Sequence, residues 1–238
     1  MTTSSTSEAT TTSPASFAEP EFVARVARNL ASLRQRIAAT GRDPATVRIV
    51  AVTKSFGVAA VRAAAANGLL DVGENYVDEL EAKYAQSRDL DLVWHFLGPL
   101  QSNKIARVTA CARVLCTVSR RKEIDKIAAV VPRPALYVQV DYTGAATRNG
   151  ASDAEVPALV QRARELGLDV RGLMTVAAPG RASARSAFAS LEALRVELGL
   201  AECSMGMSDD LEIACELGTS ELRIGRALFG ERAAHVAS

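Results

Sequence analysis

Lys54 is the residue of this chain whose surroundings in sequence most clearly favour covalent chemistry. It follows a strand-like run from Val47 to Thr53, which is apolar except for Arg48 and Thr53 itself. A lysine that emerges from an apolar strand is partly desolvated, and desolvation lowers the pKa of the amine and favours the neutral form, which attacks aldehydes. The alternative is a solvated lysine at a strand end, and position alone favours this second interpretation.

Ser208, Gly225 and Arg226 follow the last two predicted strands. In parallel α/β barrels this is the region where a phosphate is most often held by backbone N–H groups and a helix N-terminus. A lysine that captures an aldehyde opposite a phosphate site predicts a phosphorylated aldehyde as ligand, and pyridoxal 5′-phosphate (PLP) is the commonest such cofactor. The alternative is that Ser208 only caps a helix and Gly225 only makes a turn.

A closed parallel sheet would bring these residues together, because the carboxyl ends of its strands converge on one mouth. Eight short apolar strands alternate with helices from position 47 to about 232, and continuous apolar strands fit a parallel sheet covered on both faces. The chain contains neither G-x-G-x-x-G nor G-x-x-x-x-G-K-[ST], which disfavours an open doubly wound sheet. We therefore predict an α/β fold, a single (β/α)8 TIM barrel with an extra N-terminal helix over 21–40.

Polar or functional side chains follow most of the predicted strands, and the carboxyl ends of barrel strands converge on one mouth. Any one of them is weak evidence for a site, but together they exceed what loop composition alone would give. Beside Lys54 these residues are Glu74, Asn75, His95, Gly98, Asp141, Met174, Ser208, Gly225 and Arg226.

Composition and charge describe a soluble protein with one main domain. The chain has 238 residues, with 28 Lys and Arg against 27 Asp and Glu and a formal charge of +1. This balance gives no general electrostatic basis for binding nucleic acid or an anionic membrane. No apolar stretch is long enough to span a bilayer, and no secretory signal is recognisable.

The Ser/Thr-rich segment 1–18 cannot bury apolar surface and is predicted to be a disordered tail, followed by the barrel domain over 19–238. The four cysteines never form a C-x-x-C pair, so neither a zinc site nor a disulfide framework is supported. We interpret them as reduced core residues of a cytoplasmic protein.

Six stretches of the chain resemble the pyridoxal phosphate homeostasis protein family, in order from about position 22 to 232. They are AVTK at 51–54, GENY at 73–76, WHFLGPLQSNK at 94–104, RGLM at 171–174, SMGMSDD at 204–210 and LRIGRALFG at 222–230. The resemblance implies a barrel similar to the N-terminal domain of alanine racemase. It also implies a protein that sequesters, buffers and delivers PLP in the cytoplasm, with PLP-requiring apoenzymes as possible partners and a monomeric state.

The same resemblance implies roles for individual residues. PLP would be held as a Schiff base on Lys54, and Arg223 would face its pyridine nitrogen. Ser208 and the backbone of Gly225 and Arg226 would hold the phosphate. Four further residues would line the pocket, namely Asn75, His95, Met174 and Met205.

Two positions depart from the family pattern. Arg226 stands where a small hydroxyl residue is usual, so a hydroxyl bond to the phosphate is lost, although a guanidinium could pair with the phosphate instead. The segment 147–150 reads TRNG where Ser-Lys-x-Gly is common, so Arg148 keeps the charge but not the amine.

The residues favour a carrier over an enzyme. An arginine at the pyridine nitrogen keeps that nitrogen unprotonated, which makes the ring a poorer electron sink. A two-base racemase would also need a second acid or base, for which His95 and Tyr142 are weak candidates. Two alternatives stay open: a weak amino-acid racemase or related PLP enzyme, and a barrel aldolase or isomerase in which Lys54 captures a sugar phosphate.

Overall fold

Eight parallel strands close into a barrel in the computed structural model, which describes residues 19–145 and 149–231. The strands are β1 (Arg48–Val52), β2 (Asp71–Glu74), β3 (Val93–Phe96), β4 (Val114–Val118), β5 (Ala135–Val140), β6 (Val170–Thr175), β7 (Glu202–Ser204) and β8 (Glu221–Ile224). Neighbours in the ring are neighbours in the chain, and β1 pairs with both β2 and β8. The predicted TIM barrel is therefore confirmed. The predicted tail over 1–18, Arg148 and the end of the predicted domain lie outside the described residues.

Helices cover the outside of the barrel and alternate with the strands. They are α1 (Pro20–Ala39), α2 (Val58–Ala66), α3 (Val77–Gln86), α4 (Ile105–Cys111), α5 (Arg121–Ala128), α6 (Val156–Glu165), α7 (Arg181–Glu197), α8 (Leu211–Glu216) and α9 (Arg226–Phe229). None of the helices described is both long enough and apolar enough to cross a bilayer.

Helix α1 covers part of the outer barrel surface that α9, a helix of a single turn, leaves uncovered. The buried face of α1 presents Val26, Leu30, Leu33 and Ile37 at helical spacing, and the helix packs against α2, α8 and α9. The Phe22 ring of α1 lies 6.4 Å from the Phe229 ring of α9, measured between centroids. The extra N-terminal helix is confirmed, and it covers the seam between the last and first units of the barrel.

A charged network fills the amino-terminal end of the barrel. The Arg48 guanidinium on β1 lies 2.7 Å from a Glu202 carboxylate oxygen and 3.3 Å from a Glu221 oxygen. Tyr137 of β5 donates its hydroxyl to Glu202, and burial raises the pKa of that hydroxyl above its usual range. These groups satisfy one another's charge and hydrogen bonds, so the amino-terminal end of the barrel is closed, and we call it the floor of the barrel. A ligand site is therefore expected at the opposite, carboxyl-terminal end.

Candidate functional site

A cavity of about 200 Å³ that opens to solvent lies at the carboxyl-terminal end of the barrel. The structure brings together in its lining seven of the nine residues predicted for the site, namely Lys54, Asn75, Met174, Ser208, Arg223, Gly225 and Arg226. Their roles toward a ligand stay predictions.

Lys54 is carried on a tight turn that follows β1 directly. The Thr53 N–H still pairs with the Gly73 carbonyl of β2 at 2.9 Å, so the strand pairing runs up to the residue before Lys54. Ser55 has φ +62°, an uncommon conformation for a residue other than glycine, and the Phe56 N–H closes the turn on the Thr53 carbonyl at 2.9 Å. The chain thereby turns sharply, and the half-buried Lys54 side chain lines the cavity.

Arg223 brings a buried cation to the cavity from β8. Its terminal nitrogens donate to the Ser204 carbonyl and hydroxyl, both at 2.7 Å, and to the Thr175 carbonyl at 2.7 Å. Burial lowers the pKa of Arg223, yet a guanidinium remains protonated at physiological pH. The three fixed hydrogen bonds hold the charge in one position against the lining.

Ser208 and Gly225 approach each other across one side of the cavity. The Ser208 hydroxyl accepts the Ala227 N–H at 3.2 Å, and α8 begins only at Leu211, so Ser208 does not cap that helix. A Cβ placed on Gly225 would lie 3.2 Å from the Val52 carbonyl, closer than most such contacts. The Gly225 backbone therefore packs closely against β1, and the Ser208 hydroxyl lies beside the first turn of α9.

The departure at Arg226 is visible in the structure as an ion pair on the cavity rim. The Arg226 guanidinium lies 2.6 Å from an Asp209 carboxylate oxygen, and both side chains are exposed. An exposed pair of this kind contributes little to stability, so the guanidinium can exchange its partner for an anionic ligand at small cost. The counterpart departure, Arg148, cannot be placed, because it falls outside the described residues.

Asn75 provides a buried polar atom of the cavity lining that lacks a hydrogen-bond partner among the described residues. This atom is its side-chain oxygen. An unsatisfied buried polar atom costs about 1–3 kcal/mol, and a ligand that donates a hydrogen bond there would recover it. The lining therefore fits a compact ligand that is polar at one edge and anionic at one end.

The structure does not place His95 and Met205 in the cavity lining. His95 is fully buried on β3, where its Nε2 lies 2.8 Å from an Asp71 carboxylate oxygen and its Nδ1 lies 3.8 Å from Cys116 Sγ. Met205 is fully buried in the hydrophobic core. Because β3 continues to Phe96, the side chain of His95 belongs to the barrel interior below the mouth.

Six residues of the lining were not predicted from the sequence, namely Val52, Phe56, Leu97, Val176, Met207 and Asp209. Phe56 and Leu97 form apolar walls, and Asp209 pairs with Arg226 on the rim. Asp209 carried no signal, because an acidic residue next to a loop serine is ordinary in sequence.

Together these groups suit a specific class of ligand. The cavity combines an amine, a buried guanidinium and a rim guanidinium with apolar walls and one carboxylate at the edge. Such a site favours an anionic group near Ser208 and Arg226, a planar ring between the apolar walls, and an electrophilic carbon within reach of Lys54.

Comparison with known proteins agrees with this geometry. Residues 23–233 match the family described as alanine racemase, N-terminal domain. The pyridoxal phosphate homeostasis protein of Pseudomonas aeruginosa is 42% identical over 221 residues, covering 89% of this chain and 95% of that protein. The protein of the same name from Escherichia coli K12 is 34% identical, covering 87% of this chain and 97% of that one.

Solved structures show the same fold. PipY of Synechococcus elongatus, solved with PLP bound, has a TM-score of 0.76 and 33% identity and covers 86% of this chain and all of that one. Alanine racemase of Corynebacterium glutamicum, at 17% identity and a TM-score of 0.67 over 91% of this chain and 63% of that one, shares the fold alone. By matches that span nearly the whole barrel, the chain belongs to the pyridoxal phosphate homeostasis protein family, whose barrel is that of the alanine racemase N-terminal domain.

Proposed function

We propose that this protein binds PLP in the cavity as a Schiff base on Lys54 and thereby sequesters, buffers and delivers the cofactor. The observation that carries the proposal is that Lys54, Arg223 and Ser208 line one cavity from three different strands and loops. PipY, a structural relative, is known with PLP bound, and relatives that cover nearly the whole chain are named PLP homeostasis proteins. When bound, PLP supplies an aldehyde and an electron-accepting ring.

The covalent step is the formation of a Schiff base between the Lys54 amine and the PLP aldehyde. The neutral Lys54 amine adds to the aldehyde carbon, the aldehyde oxygen leaves as water, and a C=N bond replaces the C=O bond. The reaction is reversible by hydrolysis, and no other reactant is consumed. A site of this kind can hold a reactive aldehyde and return it unchanged.

The phosphate is assigned to the side of the cavity formed by Ser208, Gly225 and Arg226. The Ser208 hydroxyl accepts the Ala227 N–H and retains its own hydrogen to donate. Arg226, at the rim, would exchange Asp209 for the phosphate and so replace the hydroxyl that is usual at its position.

Arg223 and the composition of the lining favour retention of PLP over turnover. Arg223 would meet the pyridine nitrogen, and a fixed guanidinium there disfavours protonation of the ring, which weakens it as an electron sink. Neither a histidine nor a tyrosine is found among the described residues of the lining, and His95 is engaged by Asp71. We therefore propose a protein without a dedicated small-molecule reaction. A cytoplasmic location, a monomeric state and transfer to PLP-requiring apoenzymes stay predictions.

The visible spectrum tests the proposal. Purified protein supplied with PLP should be yellow, and borohydride reduction followed by peptide mass mapping should place the pyridoxyl group on Lys54. Lys54→Ala should be colourless after removal of free PLP, whereas Lys122→Ala, at an exposed lysine of α5, should behave as the natural protein.

Three results would count against the proposal. A colourless natural protein would favour the aldolase or isomerase alternative, and a pyridoxyl group on a different lysine would overturn the site. Steady conversion of a free amino acid, abolished in Lys54→Ala, would favour the racemase alternative.

A further inference from the structure

A buried ion cluster lies directly beneath the turn that carries Lys54. Lys83 of α3 is only 6% exposed, and its ammonium donates to a Glu74 oxygen at 2.6 Å, a Glu79 oxygen at 2.8 Å and the Thr53 carbonyl at 2.8 Å. An ammonium has three hydrogens to donate, so all of them are committed. The third bond is made to backbone, which links the cluster to the turn.

The cluster makes hydrogen bonds to the backbone on both sides of Lys54. The Thr53 carbonyl belongs to the peptide group before Lys54, and Lys83 holds it. The Ser55 N–H belongs to the peptide group after Lys54, and it donates to Glu79 at 3.0 Å through the same carboxylate oxygen that accepts from Lys83. One ion pair therefore fixes both peptide groups that flank Lys54.

The backbone conformation of Ser55 explains why these hydrogen bonds are needed. Its φ of +62° lies in the left-handed region, which residues with a Cβ disfavour and which persists where the surroundings over-determine it. The Ser55 N–H bond to Glu79 holds this conformation together with the Phe56 N–H bond that closes the turn on the Thr53 carbonyl. Loss of the Glu79 bond removes one of these two constraints, and we expect the turn to loosen and the Lys54 side chain to move with it.

We infer that Glu79 and Lys83 are positioning residues that aim the Lys54 amine at its ligand. The inference rests on the proposed function for the role of Lys54, and it adds two residues that do not line the cavity. A shift of about 1 Å in a reacting group can cost about 100-fold in rate, so a loosened turn should slow covalent attachment without emptying the cavity.

Glu79→Ala tests the inference, with Glu79→Gln and Glu81→Ala as its comparisons. Alanine removes the oxygen that accepts from both Ser55 and Lys83, whereas the glutamine oxygen can still accept both bonds. Glu81 lies on the same helix, and its carboxylate pairs with Arg107 on the surface. The rate of covalent attachment of PLP to Lys54 should fall about tenfold or more in Glu79→Ala and return to within about threefold of the natural rate in Glu79→Gln. Glu81→Ala should leave it unchanged.

Two further measurements separate positioning from general damage. Pyridoxine 5′-phosphate has the ring and phosphate but no aldehyde, and its affinity should be the same in Glu79→Ala as in the natural protein. Amide hydrogen exchange at Ser55, measured without any ligand, should become faster in Glu79→Ala and stay slow in Glu81→Ala.

The outcomes distinguish the two proposals. Failure of the natural protein to attach PLP to Lys54 would overturn the proposed function, and the exchange at Ser55 would still decide whether Glu79 holds the turn. Unchanged exchange at Ser55 in Glu79→Ala, an unchanged attachment rate, or an equal loss of attachment and of pyridoxine 5′-phosphate affinity would each overturn the positioning role.

Discussion

Replacing Lys83 with methionine would remove the charge at the centre of the ion cluster beneath Lys54. Methionine has a similar length and volume, so the change isolates the ammonium. The Lys83 and Glu74 side chains are 7% and 0% exposed, and burial already raises the pKa of Glu74 despite its contact with Lys83. The second Glu74 carboxylate oxygen has no partner among the residues described. The substitution therefore leaves a buried carboxylate without its counter-ion.

The size of the effect follows from that burial. Breaking a buried ion pair by removing one partner costs about 3–5 kcal/mol. A chain of this size loses about 2–4 °C of melting temperature per kcal/mol, so Lys83→Met should melt roughly 6–20 °C below the natural protein. The double variant Lys83→Met/Glu74→Gln replaces the unpaired Glu74 carboxylate with a neutral amide. It should recover about half of the lost stability, because no uncompensated charge is then buried.

Urea denaturation and thermal melting of the PLP-free protein are the assays. Lys126→Met serves as the control, because the Lys126 ammonium is exposed and makes a single 3.2 Å bond to the Ser102 carbonyl. That control should stay within about 0.5 kcal/mol of the natural protein. A Lys83→Met variant within about 1 kcal/mol of the natural protein, or a double variant no more stable than the single one, would refute the reasoning.

Two further predictions concern the cavity and the floor of the barrel. Ser208→Ala should speed the loss of bound PLP by about tenfold or more, because it removes a hydrogen bond to a charged group, while the melting temperature of the PLP-free protein stays nearly constant. An equal loss of stability without PLP would show that the hydroxyl serves only the Ala227 N–H. The pKa of Glu202 lies below its usual 4.5, since hydrogen bonds from Arg48 and Tyr137 outweigh the opposing effect of burial. A depressed pKa in the folded state contributes stability above pH 4.5 that is lost as the pH falls through the folded value. Glu202→Gln should therefore show a shallower decline of unfolding free energy below pH 4.5 than the natural protein, and an unchanged decline would contradict this assignment.

Periodicity was sufficient to predict the barrel, because most strands lie in short apolar runs and most of the described helices end close to a glycine. The turn predicted to begin at Gly225 is the single-turn helix α9. The packing of α1 against α9 is a contact between elements far apart in sequence, and local pattern carries no information about it.

The candidate site was predictable where side chains follow directly from strand ends. Lys54 needed only the order of the strands, whereas Arg223 lies within β8 and was predicted from the family resemblance alone. His95 was assigned to the mouth of the barrel although it lies within the predicted strand 92–97, and its side chain meets Asp71 inside the barrel. Lys83 and Glu79 gave no signal, because a lysine and a glutamate four residues apart are typical of a solvated helix surface.

The docking of α1 on α9 has a consequence for the order in which this protein can fold during synthesis. Asn29 on α1 donates to the Leu228 carbonyl of α9 at 2.9 Å, and the Phe56 ring beside the cavity packs 5.3 Å from the ring of Phe229. The ribosome therefore releases α1 long before its packing partner exists, and the side of the cavity formed by Gly225 and Arg226 is completed last. Closing so long a loop is slow compared with forming local helices. A nascent chain should become able to retain PLP only when α9 has left the ribosome.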